Sequence, residues 1–142
     1  MDFNPENKIN RLCAEGMSAE AAGDPLLARN LFQKAWDESE NDFEKFVAAH
    51  YLARQQNSVE EKLKWDLVSL RFALKTGEEY VRQWLPSLYL NIGKGYEQLE
   101  DIGSAKRAYH SASSFQQFLP DDGYGRMIRS GITHAMERTY DK

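Results

Sequence analysis

The sequence of 142 residues predicts an all-α protein in which about seven helices pair into hairpins. The strongest support is a long-range repeat. Six residues recur 77 positions later with the same or a similar type: Gly16/Gly93, Glu20/Glu97, Asp24/Asp101, Ala28/Ala105, Phe32/Tyr109 and Ala35/Ala112. A second observation is that capping residues precede several stretches whose apolar residues have helical spacing. A third is that no Asn-Gly or Asp-Gly pair lies between stretches of alternating apolar residues, as β-hairpins would require.

The first two helices have similar start signals. Asn4 followed by Pro5 predicts the start of the first helix, because a capping residue precedes a proline whose missing N–H costs nothing in the first turn. Gly23 predicts the end of this helix. Asp24 followed by Pro25 repeats the start signal for the second helix.

The third and fourth helices are marked by two capping boxes. Asn41 with Glu44, and Ser58 with Glu61, have the spacing at which a side-chain oxygen bonds the N3 amide. The apolar residues that follow each box have helical spacing. Gly77 predicts the end of the fourth helix.

The remaining helices follow Gly77. We expect a fifth helix that begins before Pro86, bends at this proline and runs on through Leu99. Asp101 caps the sixth helix, and the turn at residues 120–123 precedes a seventh, terminal helix. The predicted organisation is one domain over residues 1–142, with hairpin units at about 5–40, 41–76 and 78–118 and a terminal helix at 121–139.

Composition narrows the class of protein. Charged residues make up 28% of the chain and hydrophobic residues 42%, as in a globular protein. The net charge of −4 argues against nucleic acid as a partner. The first eight residues are polar, and no apolar stretch approaches the length of a membrane span, so we expect a cytoplasmic protein without a membrane partner.

Neither an enzyme nor a metal or cofactor site is predicted. His50, His110 and His134 lie on different helices, without the short spacing of a metal site. Cys13 is the sole cysteine, on an apolar stripe with no base nearby, and is expected to be a small core residue. No glycine-rich phosphate loop or nucleophile elbow is present. We therefore expect no catalytic residues, no bound metal and no cofactor.

The repeated residues resemble those of the tetratricopeptide repeat (TPR) family. Members of this family carry a small residue and an aromatic on the first helix of each hairpin, and an Ala–aromatic–Ala pattern on the second. The first unit matches this pattern at Leu12, Gly16, Ala19, Ala28, Phe32 and Ala35. The third matches it at Tyr89, Gly93, Tyr96, Gly103, Ala105, Tyr109 and Ala112. The middle unit is degenerate: Ala49 and Leu52 fit, but the start of its second helix does not.

The resemblance implies an α-solenoid whose first helices line a concave groove that holds a protein or peptide segment. The outward faces of these first helices give the candidate groove residues Asn10, Cys13, Met17, Glu20, His50, Arg54, Asn91, Lys94 and Gln98. Cys13 and Met17 stand where the carboxylate clamp of some family members needs Lys and Asn. We therefore expect no such clamp.

Two functions from different classes remain open. The first is a non-enzymatic scaffold that binds a protein or peptide segment in the groove. The second is a self-associating module, such as a homodimer, or a regulatory subunit, which uses apolar residues of the terminal helix such as Ile128, Ile132 and Met136.

Overall fold

The computed structural model describes residues 4–142, which contain seven α-helices and no strand. The predicted domain begins in residues 1–3, which lie outside the described residues. In chain order the elements are α1 Lys8–Ala21, α2 Pro25–Glu38, α3 Asp42–Arg54, α4 Val59–Thr76, a 3₁₀ helix Glu79–Trp84, α5 Leu85–Gln98, α6 Ile102–Ser114, a 3₁₀ helix Gln116–Phe118 and α7 Gly123–Thr139. The all-α class and the number of helices predicted from the sequence are confirmed.

Most predicted helix starts are confirmed by hydrogen bonds, and one is wrong. The side chain of Asp24 accepts a hydrogen bond from the Leu27 amide at 3.1 Å. The side chains of Asn41, Ser58 and Asp101 likewise accept a hydrogen bond from the amide three residues later. The first helix, however, is capped by Asn7 instead of Asn4. Asn4 is engaged in a preceding turn, in which its side chain accepts the Glu6 amide and its carbonyl accepts the Asn7 amide.

The prediction of a fifth helix bent at Pro86 is wrong. The residues before this proline form a separate 3₁₀ helix, and Pro86 lies in the first turn of α5. Proline is well tolerated there because the first amides of a helix have no partner within it. A continuous α-helix would have required the missing N–H of Pro86 to bond the Arg82 carbonyl.

The helices fall into two compact units, an N-terminal unit that ends at Thr76 and a C-terminal unit, Gly77–Lys142. In the N-terminal unit, Lys8 at the start of α1 pairs with Glu38 at the end of α2 at 2.8 Å, so these helices are antiparallel. Gly16 lies against the ring of Phe32, which is fully buried. The absence of a side chain at Gly16 is what lets α1 and α2 approach this closely.

The C-terminal unit repeats this packing. Gly93 of α5 lies against the ring of Tyr109 on α6, which is also fully buried. The turns of the α1/α2 and α5/α6 hairpins contain the same backbone hydrogen bond. The Asp24 amide donates to the Ala19 carbonyl, and the Asp101 amide donates to the Tyr96 carbonyl, at 2.9 Å each. One core cluster of this unit contains Leu90, Ala105, Tyr109, Ala112, Leu119, Ile128, Ile132 and Ala135.

The middle hairpin, α3 with α4, has polar residues at the two positions where the outer hairpins have a glycine and an aromatic ring. His50 and Asp66 are 16 residues apart, as are Gly16 and Phe32, so His50 takes the place of the glycine and Asp66 that of the aromatic ring. Asp66 is only 3% exposed, and its carboxylate pairs with Lys62 at 2.6 Å. Burial raises the pKa of Asp66, against the opposing effect of Lys62. This exchange explains why the sequence of the middle unit is degenerate.

Candidate functional site

The N-terminal unit brings two first helices of successive hairpins side by side. Asn7, which caps α1, donates to Glu44 in the first turn of α3 at 2.8 Å. Near the other end of both helices, Arg54 of α3 pairs with Glu20 of α1 at 3.1 Å. Helices that are joined at both starts and both ends run parallel. This is the arrangement that a groove lined by first helices requires.

Among the candidate groove residues of this unit, Met17, His50 and Arg54 lie toward the C-terminal ends of α1 and α3. Met17 is one helical turn before Glu20, and His50 is one turn before Arg54. Met17 is 37% exposed and therefore available to a ligand. Asn10 lies at the opposite end of α1, is 5% exposed and donates to the Asn4 carbonyl, which leaves it little surface for contact with a partner.

Cys13 and Glu20 are the other two candidate groove residues of α1, and they differ in burial and in their contacts. Cys13 is fully buried, and burial raises the pKa of its thiol to about 12. Its position fits the small core residue expected from the sequence. Glu20 is half-buried, pairs with Arg54 at the end of α3 and accepts a hydrogen bond from Gln55, the residue that follows this helix. It therefore holds the two helices together.

His50 is kept in its neutral form. Burial and the positive charges of Arg54 and Lys62 lower its pKa to about 4. Its Nδ1 is buried without a hydrogen-bond partner among the residues that the structure describes. A buried polar atom left unpaired costs about 1–3 kcal/mol, so this position weakens the middle hairpin.

The C-terminal unit carries the exposed polar row predicted on α5. Asn91 is half-buried, Lys94 and Gln98 are exposed, and their spacing places them on one face of the helix. Their side chains make no hydrogen bond or ion pair with any residue between positions 4 and 142. All three are therefore available to a partner without the loss of an internal contact.

Helix α7 lies beside this row. Arg138 binds the Glu97 carboxylate through Nε at 2.8 Å and through Nη2 at 2.9 Å. A side chain added at Gly131 of α7 would lie 3.0 Å from Leu90 of α5, so the helices also approach closely at this level. The residues in contact are 41 positions apart in both cases, which shows that α5 and α7 run parallel and in register.

Glu97 is the centre of a small hydrogen-bond network that holds the C-terminal end of α5. Hydrogen bonds from Arg138, and then from Tyr109, lower the pKa of Glu97 to about 2. Burial, reinforced by the hydrogen bond of 2.6 Å to Glu97, raises the pKa of Tyr109 to about 12. The carboxylate stays ionised and the phenol stays protonated over the physiological range, so the network persists there.

The two Glu–Arg pairs were not predicted from the sequence, although one signal was present. Glu20 and Glu97 are equivalent in the 77-residue repeat, and their pairing partners, Arg54 and Arg138, each follow a histidine by four residues. Arg138 lies seven positions beyond residue 131, the position that corresponds to Arg54 in the 77-residue repeat. This shift conceals the correspondence of α3 with α7.

The described residues hold no group of three or more His, Cys, Asp or Glu side chains that could bind a metal ion. None of the helices described has both the length and the apolar character to cross a bilayer. An open pocket of about 710 Å³ in the C-terminal unit contains none of the predicted groove residues and is lined by Gly77, Glu78, Glu79, Tyr80, Arg82 and Phe118.

Comparison of this chain with protein-family models, with curated protein sequences and with solved structures found no match.

Proposed function

We propose that this protein is a TPR-like interaction module, cytoplasmic and without catalytic activity, that holds a protein or peptide segment against its first helices. The observation that carries the proposal is the row of Asn91, Lys94 and Gln98. This row belongs to α5, which packs against α6 through the contact of Gly93 with Tyr109. Near its end, α5 is also held by the hydrogen bond from Tyr109 to Glu97.

The chemistry of the row suits a polypeptide backbone. Amide side chains donate and accept hydrogen bonds, and Lys94 adds three donors and a positive charge. Because the helix is already ordered, little conformational entropy is lost when a segment binds. The parallel helices α1 and α3 of the N-terminal unit would offer a second face of the same kind, on which Met17 supplies an exposed apolar contact.

The alternative, self-association through the terminal helix, has less support. Ile128 and Ile132 of α7 are 7% and 1% exposed because they pack inside the C-terminal unit. Met136 is 36% exposed and Met127 62%, but the residues between them on the outer face, such as Ser130 and His134, are polar. A polar outer face is typical of a helix that caps a stack.

The proposal is tested by affinity purification of the full-length protein with quantitative mass spectrometry. We expect the double substitution Asn91→Ala/Lys94→Ala to deplete specific partners at least fivefold. The matched control is Asn30→Ala/Lys34→Ala, which removes the same two residue types from exposed positions of the second helix α2. An identical partner list for both variants would contradict the assignment of the face.

A further inference from the structure

The α2/α4 side of the N-terminal unit carries a row of three half-buried aromatic rings. The ring centroids of Trp65 and Trp36 are 5.0 Å apart and those of Trp36 and Phe72 are 5.8 Å apart, both with edge-to-face geometry. These helices are the second helices of their hairpins. The row therefore lies apart from the face that α1 and α3, the first helices of this unit, present.

Three cations rest on these rings. Lys45 Nζ lies 4.3 Å from the ring centroid of Trp36. Lys75 Nζ lies 5.2 Å, and the guanidinium carbon of Arg71 lies 5.8 Å, from the ring centroid of Phe72. None of the three forms an ion pair with a carboxylate in the described part of the chain. Their charges are held in place by the rings but not neutralised.

Exposed leucines flank these cations on α4. Leu67 and Leu74 are 37% and 51% exposed and are seven residues apart, so they lie in one row along the helix. Lys64, Arg71 and Lys75 form the adjacent row. The α4 outer face, which we define as Lys64, Leu67, Arg71, Leu74 and Lys75, thus combines unpaired positive charge with apolar surface.

We propose that the α4 outer face docks an acidic amphipathic segment of another protein. Carboxylates of this segment would bind Arg71 and Lys75, and its apolar residues would cover Leu67 and Leu74. The rings hold the two cations close to the surface, so fewer side-chain conformations are lost when a carboxylate binds. Charge attraction would set the orientation, and burial of the leucines would supply most of the affinity.

Charge distribution favours a short acidic segment over an extended polyanion. Residues 1–76 contain 10 Lys and Arg and 13 Asp and Glu, a net charge of −3. Five of the carboxylates lie in residues 37–44, between Trp36 and Lys45 of the same surface. A nucleic acid or an anionic membrane would extend over this acidic stretch, whereas a short segment senses charges mainly within a screening length of about 8 Å.

The test uses the full-length protein and a fluorescein-labelled peptide of about 14 residues, or four helical turns, with Glu and Leu at helical spacing. We expect saturable binding by fluorescence anisotropy. Arg71→Gln/Lys75→Gln should weaken it roughly tenfold, and Leu67→Ser/Leu74→Ser should weaken it by a similar factor. A peptide with Ser in place of Leu should bind far more weakly.

The matched control is Arg107→Gln/Arg126→Gln, which removes two exposed charges from the C-terminal unit and gives the same net charge. We expect it to bind within about twofold of the original protein. Equal weakening by both charge variants would overturn the proposal, since binding would then follow net charge alone. Circular dichroism of each variant separates loss of binding from loss of fold.

Two further measurements distinguish the other occupants of this face. Oligothymidylate or vesicles with an anionic lipid, if either bound more tightly than the peptide and lost affinity in Arg71→Gln/Lys75→Gln, would overturn the assignment to a protein segment. Self-association in sedimentation experiments that disappears in the same variant would likewise contradict it, because the occupant would then be a second copy of this chain.

Discussion

Substitution of Gly93 by alanine tests the packing of the C-terminal hairpin. A Cβ atom at this position would lie 2.3 Å from Cε1 of Tyr109, whereas ordinary contacts begin at 3.4 Å, so the ring must move by about 1.1 Å. The ring is fully buried, and its hydroxyl is held by Glu97 at 2.6 Å. Such overpacking costs about 3 kcal/mol, and the better helix propensity of alanine offsets about 1 kcal/mol of it.

We therefore expect Gly93→Ala to lower the free energy of unfolding by about 2 kcal/mol, and Tm by roughly 6–8 °C. The assay is urea unfolding followed by circular dichroism, with a thermal scan beside it. The control is Gly103→Ala on α6, where the nearest atom, Arg107 Nη1, would be 3.6 Å from the new Cβ. This variant should gain about 0.5–1 kcal/mol. A Gly93→Ala protein as stable as the original would refute close packing of these helices.

Three other substitutions are predicted to change stability. Glu100 has φ = 64° at the turn where the first hairpin has Gly23, so Glu100→Gly should raise the free energy of unfolding by about 0.5–1 kcal/mol in urea titrations. Because the pKa of Glu97 is lowered to about 2, its ionised carboxylate stabilises the folded protein fully above pH 4.5, and this stabilisation is lost as the pH falls toward 2. Glu97→Gln should therefore flatten this part of a curve of unfolding free energy against pH. Because the pKa of His50 is lowered to about 4, this histidine is protonated at a higher pH in the unfolded chain than in the folded protein, so the free energy of unfolding should fall between pH 6.5 and 4. His50→Gln should remove this fall, and an unchanged curve would contradict the burial of His50.

The helices and their starts were largely predictable because they depend on residues that are close in sequence. Asp24, Asn41 and Asp101 each cap a helix through an amide three residues away, which a local pattern can indicate. The cap at Asn7 was missed because Asn4 and Pro5 offer the same signal three residues earlier. Competition between two local signals is decided by the turn that the backbone adopts, and this turn is not evident from the sequence.

The contacts that shape the candidate faces were predictable only in part. The repeat indicated that Gly93 and Tyr109 are equivalent to Gly16 and Phe32, whereas the contact of each glycine with its ring is evident only in the structure. The pairing of Glu97 with Arg138 depends on two helices that are 41 residues apart in sequence and on the length of the loop between them. Such distances have no periodic signature, so sequence patterns identified the exposed row on α5 but not the network that holds it.

The proposed peptide-binding face is tested most directly by photo-crosslinking from a single position of the full-length protein in its native cell. A photoreactive amino acid in place of Lys94 should yield discrete crosslinked proteins, and the same amino acid in place of Lys34 on α2 should not yield them. The same products from both positions, or products from Lys34 alone, would contradict the assignment of the binding face to α5.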